Sequence, residues 1–369
     1  MEAIKTLNAL GLLSGSSIQG VDAALISTDG VDVYDYGPCV NVPYDEALRD
    51  KIRSVIGRKP ESEEELARIA EIEREITEFH ARIVKDFIAD YDVKIDVIGF
   101  EGHTVYNNPA EHYTLQMGDG ALLSELTGIK VVNKFHKADI LAGGQGGPLE
   151  PVYHAAVCSD MGKPIAVVNI AGLSNVTWIG SYGEMMAFDT GPGNAAINDW
   201  VRKHAGMDMD YNGKLAITGT VNEQIVASLM RHKYFGKYPP KSADRETFKE
   251  KLEHLEGLSL EDGAATVTAF VAESIAYSIL MYLPEIPKIL LVCGGGAKNP
   301  TILRFLRQRL PDMIVKTVSE EGLNSEALGA QSVAFQAVRR LYYLPISFPT
   351  TTGVSEPMVG GQISEYVRL

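Results

Sequence analysis

The pattern that most constrains this chain is a run of strand signals that gives way to alternating helices and strands, and it occurs twice. Residues 6–14, 22–28 and 31–42 read as three successive strands, with Asp29-Gly30 as a tight hairpin turn between the last two and the longer SGSSIQG segment between the first two. From Glu61 the apolar residues Leu66, Ile69, Ile72, Ile76, Phe79, Ile83 and Phe87 step by three or four, which predicts a long amphipathic helix. A strand over 95–100, a helix over 119–127 with Asp119 as its N-cap, and a strand over 130–133 follow. The segment AGGQGGPLEP, 142–151, then breaks regular structure. Beyond it strands are predicted over 165–170, 176–179 and 185–188, then helices over 194–204, 221–231 and 264–283. A strand over 289–292, a helix from Pro300, a strand over 314–318 and a helix from Ser325 complete the second round.

Two α/β halves with mixed sheets account for this recurrence, and 369 residues suffice for both. Lys and Arg total 34 against 48 Asp and Glu, a net charge of −14, which repels phosphate backbones and anionic membranes and speaks against a nucleic-acid partner. Any nucleotide must be held locally, by backbone N–H groups, a metal or a few placed cations. Three scattered cysteines, Cys39, Cys158 and Cys293, fit a reducing cytosol and no disulfide framework. The N-terminus lacks the positive region of a signal peptide, and the apolar segment 275–292 is interrupted by Pro284, Glu285, Pro287 and Lys288, so a cytoplasmic protein without a membrane partner is expected.

Three glycine-rich turns follow apparent strands: SGSS at 14–17, DTGPGN at 189–194 and GGGA at 294–297. Each lets a backbone approach a phosphate, although a tight turn needs glycine without any ligand. None matches GxxxxGK[ST]. Residues 191–196 do fit G-x-G-x-x-A, with Asp208 and Asp210 further on, as in a dinucleotide fingerprint; against a dehydrogenase, the carboxylate of Asp189 would then abut a pyrophosphate. Asp189 is better suited as a base facing a hydroxyl or water; its plainer reading is an Asx turn or helix cap. His103, after a strand, could donate to a sugar hydroxyl or serve as an acid, or could simply be a hydrogen-bonded packing residue. Glu326 could ligate Mg²⁺ or favour the start of its helix. The segment Pro239-Pro240-Lys241-Ser242 with Arg245 could clamp an anion or form a turn.

The order of these segments resembles the anhydro-N-acetylmuramic acid kinase family of the actin, sugar-kinase and heat-shock chaperone ATPase superfamily. The resemblance runs through GLLSGSSIQGVDAAL (11–25), GHTV (102–105), TLQMGDGALLSELTGI (114–129), KADILAGGQGGPLEP (137–151), NIAGLSNVT (169–177), FDTGPGN (188–194), PPKS (239–242), CGGGAKNP (293–300) and EA (326–327). It implies two ribonuclease-H-like, actin-like ATPase domains, over 1–137 plus 331–369 and over 138–330, facing an interdomain nucleotide and sugar cleft. It also implies an enzyme that uses ATP and Mg²⁺ to open the bridge of 1,6-anhydro-N-acetylmuramic acid with water and to phosphorylate O6, a step in cell-wall recycling. A second copy, forming a homodimer, is the one protein partner allowed for.

By the same resemblance Asp189 is the base that activates the water. Ser14, Gly15, Ser16, Ser17 and Gly20 lie in the first phosphate loop and Gly191 and Gly193 in the second. Gly294, Gly295, Gly296 and Asn299 lie on the adenosine side, His103, Thr104, Lys137 and Asp139 on the sugar side, and Glu326 near the metal. The chain departs from the family in three places. Gln19 stands where SGTSxDG has its acid, Tyr106-Asn107-Asn108-Pro109 where GHTVRHRP has arginines, and Phe135-His136-Lys137-Ala138-Asp139 where the family has FRRAD. The alternatives are a kinase of another anhydro sugar, a catalytically weak relative that binds nucleotide or sugar, and, most remotely, an NAD-dependent dehydrogenase.

Overall fold

The computed structural model describes residues 5–366 apart from 16, 17, 244, 254 and 256. The chain forms two compact units, one from residues 1–157 and 326–369, the other from 158–325. These divisions fall at 157/158 and 325/326, whereas the sequence suggested 137/138 and 330/331. The first division lies later because the helix Phe135–Leu141 and the glycine segment after it are tied into the first unit. There the buried Asp139 accepts hydrogen bonds from Gly146 N at 2.7 Å and Thr352 Oγ1 at 2.5 Å.

In the first unit, β1 (Leu7–Leu13), β2 (Gly20–Thr28) and β3 (Val33–Pro43) form the expected antiparallel meander. β4 (Val97–Phe100) pairs parallel with β1. β5 (His103–Asn108) and β6 (Tyr113–Met117) make a separate hairpin that has no clear signal in the sequence, and β7 (Lys130–Asn133) pairs parallel with β4. A last strand, Gln362–Ser364, also unanticipated, closes the sheet against β7.

The long helix runs Glu63–Tyr91, capped by Ser62, with Glu63, Glu64 and Glu65 at the positive end of its dipole. It buries Ile69, Ile72, Ile76, Ile83, Val84 and Phe87 in one core with Leu10, Leu12, Ile98 and Phe100, while Leu66 stays exposed. On the other face the helix Leu328–Leu341 lies so close that a Cβ at Gly11 would sit 1.7 Å from the Ala330 carbonyl oxygen, and one at Gly99 2.4 Å from that of Val333. Only glycine permits this approach of helix to sheet.

The second unit repeats the plan. β8 (Ile165–Ile170), β9 (Leu173–Ile179) and β10 (Met185–Pro192) form a meander; β11 (Ile289–Cys293) pairs parallel with β8, and β12 (Ile314–Thr317) with β11. The spatial order β10-β9-β8-β11-β12 matches β3-β2-β1-β4-β7 of the first unit, third-second-first-fourth-fifth in both, which is the ribonuclease-H-like order. The helix Leu260–Tyr282 is apolar and long enough to cross a bilayer, yet most of it is buried within this unit, where Gly263 leaves room for the Trp200 ring.

Two local expectations change. β10 continues through Asp189 to Pro192 with a bulge between Asp189 and Gly191, because it is an edge strand, where proline costs no ladder bond. The helix expected from Ser325 begins at Leu328, which leaves Glu326 exposed in the turn before it.

Candidate active site

In each unit the first, third, fourth and fifth strands of the shared order run in one direction, so their carboxyl ends lie along one edge, the usual place for ligands in open α/β sheets. In the first unit this edge carries Ser14 after β1, Tyr44 after β3, Glu101 and His103 after β4, and His136 after β7. The turn after β1 is held by Ile18 N–H donating to the Gly15 carbonyl at 3.0 Å, with Ile18 in the left-handed region at φ 54°. A β-branched residue there costs about 1–3 kcal/mol, and such strain concentrates at functional turns. Ser16 and Ser17 lie outside the described residues. Gly20 is engaged in packing: a Cβ there would meet the Val42 carbonyl oxygen at 2.4 Å.

Ser14 is buried and its hydroxyl is taken up within the protein, 2.9 Å from both Tyr44 Oη and His80 Nε2. Tyr44 Oη in turn lies 3.1 Å from His103 Nε2, and His80 Nδ1 lies 2.7 Å from the Ile76 carbonyl oxygen. Burial pushes the His80 imidazole down to about 3, the Ile76 carbonyl opposing and His103 adding to the effect; burial likewise brings His103 down to about 4 against the charge of Glu101. Both rings are neutral at physiological pH. Thr104 points outward from β5 and is exposed.

His136 stands where the resembled family has arginine. Its Nε2 is 2.5 Å from Glu101 Oε1 and its Nδ1 meets the Gly146 carbonyl; both partners are acceptors, so both ring nitrogens carry protons. Burial lowers its pKa, but the Glu101 charge and hydrogen bond, the Gly146 carbonyl and Glu150 outweigh this and raise it to about 9. The imidazolium thus joins a carboxylate to the glycine segment, as a forked guanidinium could. Because its pKa is raised on folding, its stabilisation is complete below about pH 6.5 and is lost as pH rises through about 9. Thermal unfolding scanned from pH 6.5 to 9.5 should show a fall in midpoint that His136→Gln largely removes. Lys137 is exposed beside it. Both carboxylate oxygens of Asp139 are occupied by Gly146 and Thr352, so it orders the loop.

In the second unit the corresponding edge gathers Asn169, the 171–173 turn, Asp189, residues 191–194 and residues 294–296. Gly193 N–H donates to the Gly172 carbonyl at 3.1 Å and Asn194 N–H to that of Ala171 at 2.7 Å, so these N–H groups pin the start of the helix Asn194–Ala205 to the β8–β9 turn. A Cβ at Gly193 would meet the Ala171 carbonyl oxygen at 2.5 Å; Gly191 carries φ 150° beside Ser274. Gly294 has φ 73° against Asn169 and Ile170, Gly296 packs on Ile170, and Gly295 faces Asn194. Asn299 caps the helix Pro300–Arg309, accepting from Thr301 and Ile302 N–H.

Asp189 is gripped on three sides. Its Oδ2 accepts from Ala243 N–H at 2.9 Å, its N–H donates to the Lys241 carbonyl at 3.1 Å, and its own carbonyl accepts from Tyr234 Oη at 2.6 Å. Lys241, from the PPKS segment, is buried with its ammonium over the rings of Tyr282 (4.2 Å), Tyr234 (4.8 Å) and Phe188 (5.6 Å), and Nζ has no hydrogen-bond partner among the described residues. Burial, with Lys237 adding and Asp189 opposing, lowers it to about 8. The Arg245 side chain lies outside the described residues.

Sequence reasoning passed over Glu101, Tyr44 and His80, and gave the 171–173 turn, within NIAGLSNVT, no role. The turn had a usable signal, since the repeated strand order makes it the counterpart of the SGSSIQG turn. The other three depend on partners far along the chain, which no local pattern displays.

Two units of the same ribonuclease-H-like strand order, with glycine turns at the carboxyl ends of their parallel strands, define the class as α/β proteins built of two ribonuclease-H-like units. A family model described as anhydro-N-acetylmuramic acid kinase matches residues 7–366. Relatives named anhydro-N-acetylmuramic acid kinase are 44% identical in Paramagnetospirillum magneticum, over 96% of this chain and 98% of that protein, and 45% identical in Rhodospirillum rubrum, over 96% and 93%. A third, from Zymomonas mobilis, is 42% identical over 96% and 99%. The chain belongs to the anhydro-N-acetylmuramic acid kinase family.

Proposed function

We propose that this protein is a cytoplasmic kinase that uses ATP to convert 1,6-anhydro-N-acetylmuramic acid and water into N-acetylmuramic acid 6-phosphate. The observation that carries the mechanism is the grip on Asp189, which fixes one carboxylate at a strand bulge beside a glycine turn. Asp189 takes a proton from water as the water oxygen bonds to C1. The C1–O6 bridge bond breaks, O6 bonds to the γ-phosphorus, and the bond from that phosphorus to the β-phosphate oxygen breaks to release ADP. General-base action is worth about 10²–10⁴-fold. An O6 released already in place to attack avoids a second bimolecular encounter.

For the nucleotide, the 294–296 turn offers bare backbone at the carboxyl end of β11, where a side chain would collide with Asn169 and Ile170. The 171–173 turn joins it as a phosphate-facing loop by its equivalence to residues 14–19. Gly193 supports that turn through its hydrogen bond to Gly172 and its contact with Ala171, while Gly191 packs beside Ser274. No group of three His, Cys, Asp or Glu side chains converges among the described residues. Of the two metal-side positions that the resemblance gives, Glu326 carries a charge and Gln19 does not; Mg²⁺ keeps several waters and takes phosphate oxygens, so a site with few protein carboxylates would suit it. Mg²⁺ brought in with the nucleotide would offset phosphate charge, and Glu326 would be the residue to hold it.

Turnover in ¹⁸O-labelled water tests the reading directly. One ¹⁸O should appear on C1 of the product and none in its phosphate, with one ADP formed per sugar opened. Label in the phosphate, or ADP formed without sugar opening, would show ATP hydrolysis in place of the coupled reaction.

A further inference from the structure

We propose that His103 meets the sugar as a hydrogen-bond acceptor through Nδ1, its tautomer locked by Tyr44, Ser14 and His80 as positioning residues. The identity of the ligand rests on the sugar-kinase reading above; the lock itself follows from counting protons. His80 is neutral and its Nδ1 faces only a carbonyl oxygen, so its single proton is on Nδ1 and its Nε2 accepts. The Ser14 hydroxyl therefore donates to His80 Nε2. With that proton committed, the Tyr44–Ser14 contact is bridged by the Tyr44 proton, and the Tyr44 oxygen in turn accepts from His103 Nε2–H. His103, also neutral, then has no proton on Nδ1.

Four buried side chains from four places in the sequence thus hold one direction of donation, from His103 through Tyr44 and Ser14 to His80 and on to the Ile76 carbonyl. The end of this relay that is not anchored in the core is His103 Nδ1, which has no partner among the described residues. His103 is 3% exposed and its Nδ1 is not one of the wholly buried side-chain atoms, so this lone pair is open to a donor from a ligand. A sugar hydroxyl or the N–H of an N-acetyl group supplies it, and a carboxylate does not. The sequence alone allows His103 as a donor to a sugar hydroxyl, as an acid or as a hydrogen-bonded packing residue; the relay excludes donation from Nδ1 by the neutral ring.

Long-range ¹H–¹⁵N spectra of the full-length, histidine-labelled wild type should show His103 as the Nε2–H tautomer and His80 as the Nδ1–H tautomer. Either ring in the opposite form would overturn the lock without any variant being made. Tyr44→Phe keeps the ring against Phe79, at 5.0 Å between centroids, while removing the oxygen that orients His103. It should give mixed His103 tautomers and raise the KM for the anhydro sugar about tenfold, with ATP affinity unchanged. His103→Asn, which places an amide near the Nδ1 position, should bind the sugar better than His103→Gln, which places one near Nε2. Equal sugar affinity in these two variants, or mixed tautomers in Tyr44→Phe with an unchanged KM, would overturn the acceptor role. Absence of sugar binding by the wild type itself would count against the kinase reading, while the tautomers would still decide the lock.

Discussion

Asp189→Asn should lower turnover of the anhydro sugar by about 10²–10⁴-fold while ATP affinity stays within a factor of two. The substitution is well placed to isolate chemistry from folding. An asparagine carbonyl oxygen can still accept from Ala243 N–H, and the backbone bonds to Lys241 and Tyr234 do not involve the side chain. What asparagine cannot do is take a proton from water. Steady-state coupling of ADP release, together with calorimetric titration of ATP, measures both quantities. A variant within tenfold of wild type would move the base elsewhere.

The largest effect on stability is expected from Gly11→Ala. Alanine is the better strand residue by roughly 0.5–1 kcal/mol. Here that gain is overwhelmed, since the new Cβ would lie 1.7 Å from a backbone carbonyl oxygen of the helix Leu328–Leu341, which cannot swing aside as a side chain could. A loss of at least about 2–3 kcal/mol follows from such overpacking. Both tryptophans, Trp178 and Trp200, belong to the second unit, so their fluorescence should keep its urea midpoint while the circular dichroism transition moves to lower urea. A shift of both by the same amount would show that the units melt together; no shift in either would refute the tight contact.

Much of this fold is legible along the chain because it is built from local repeats. β7 and β8 fall where the alternation predicts, at Lys130–Asn133 and Ile165–Ile170, and Asp119 caps the helix Gly120–Thr127 as expected. The hairpin of β5 and β6 and the strand Gln362–Ser364 escape notice because neither has a clean alternation; both are short and are completed by pairing. At the site, Asp189 and the glycine turns are conspicuous, since a carboxylate beside glycines is a pattern in one short window. The engagement of Ser14 by His80 and of His136 by Glu101 spans 66 and 35 residues, and each changes what the residue can do. A serine in a loop motif reads as a phosphate ligand until its hydroxyl is found inside the core. A histidine in place of arginine reads as a lost cation until two acceptors are found to protonate it.

The interrupted first unit also sets an order of assembly. The helix that rests on Gly11 and Gly99 is made some 320 residues after β1, which at about 5–20 residues per second is roughly 16–64 s of synthesis. During that interval the helix Glu63–Tyr91 can cover one face of β1 and β4, but the face that carries Gly11 and Gly99 has nothing over it, whereas the second unit, continuous from 158 to 325, leaves the ribosome with all its strands in hand. The nascent first unit is therefore the part of this protein with the longest exposure to chaperones, and truncation before residue 326 should convert it from a folding intermediate into a chaperone client.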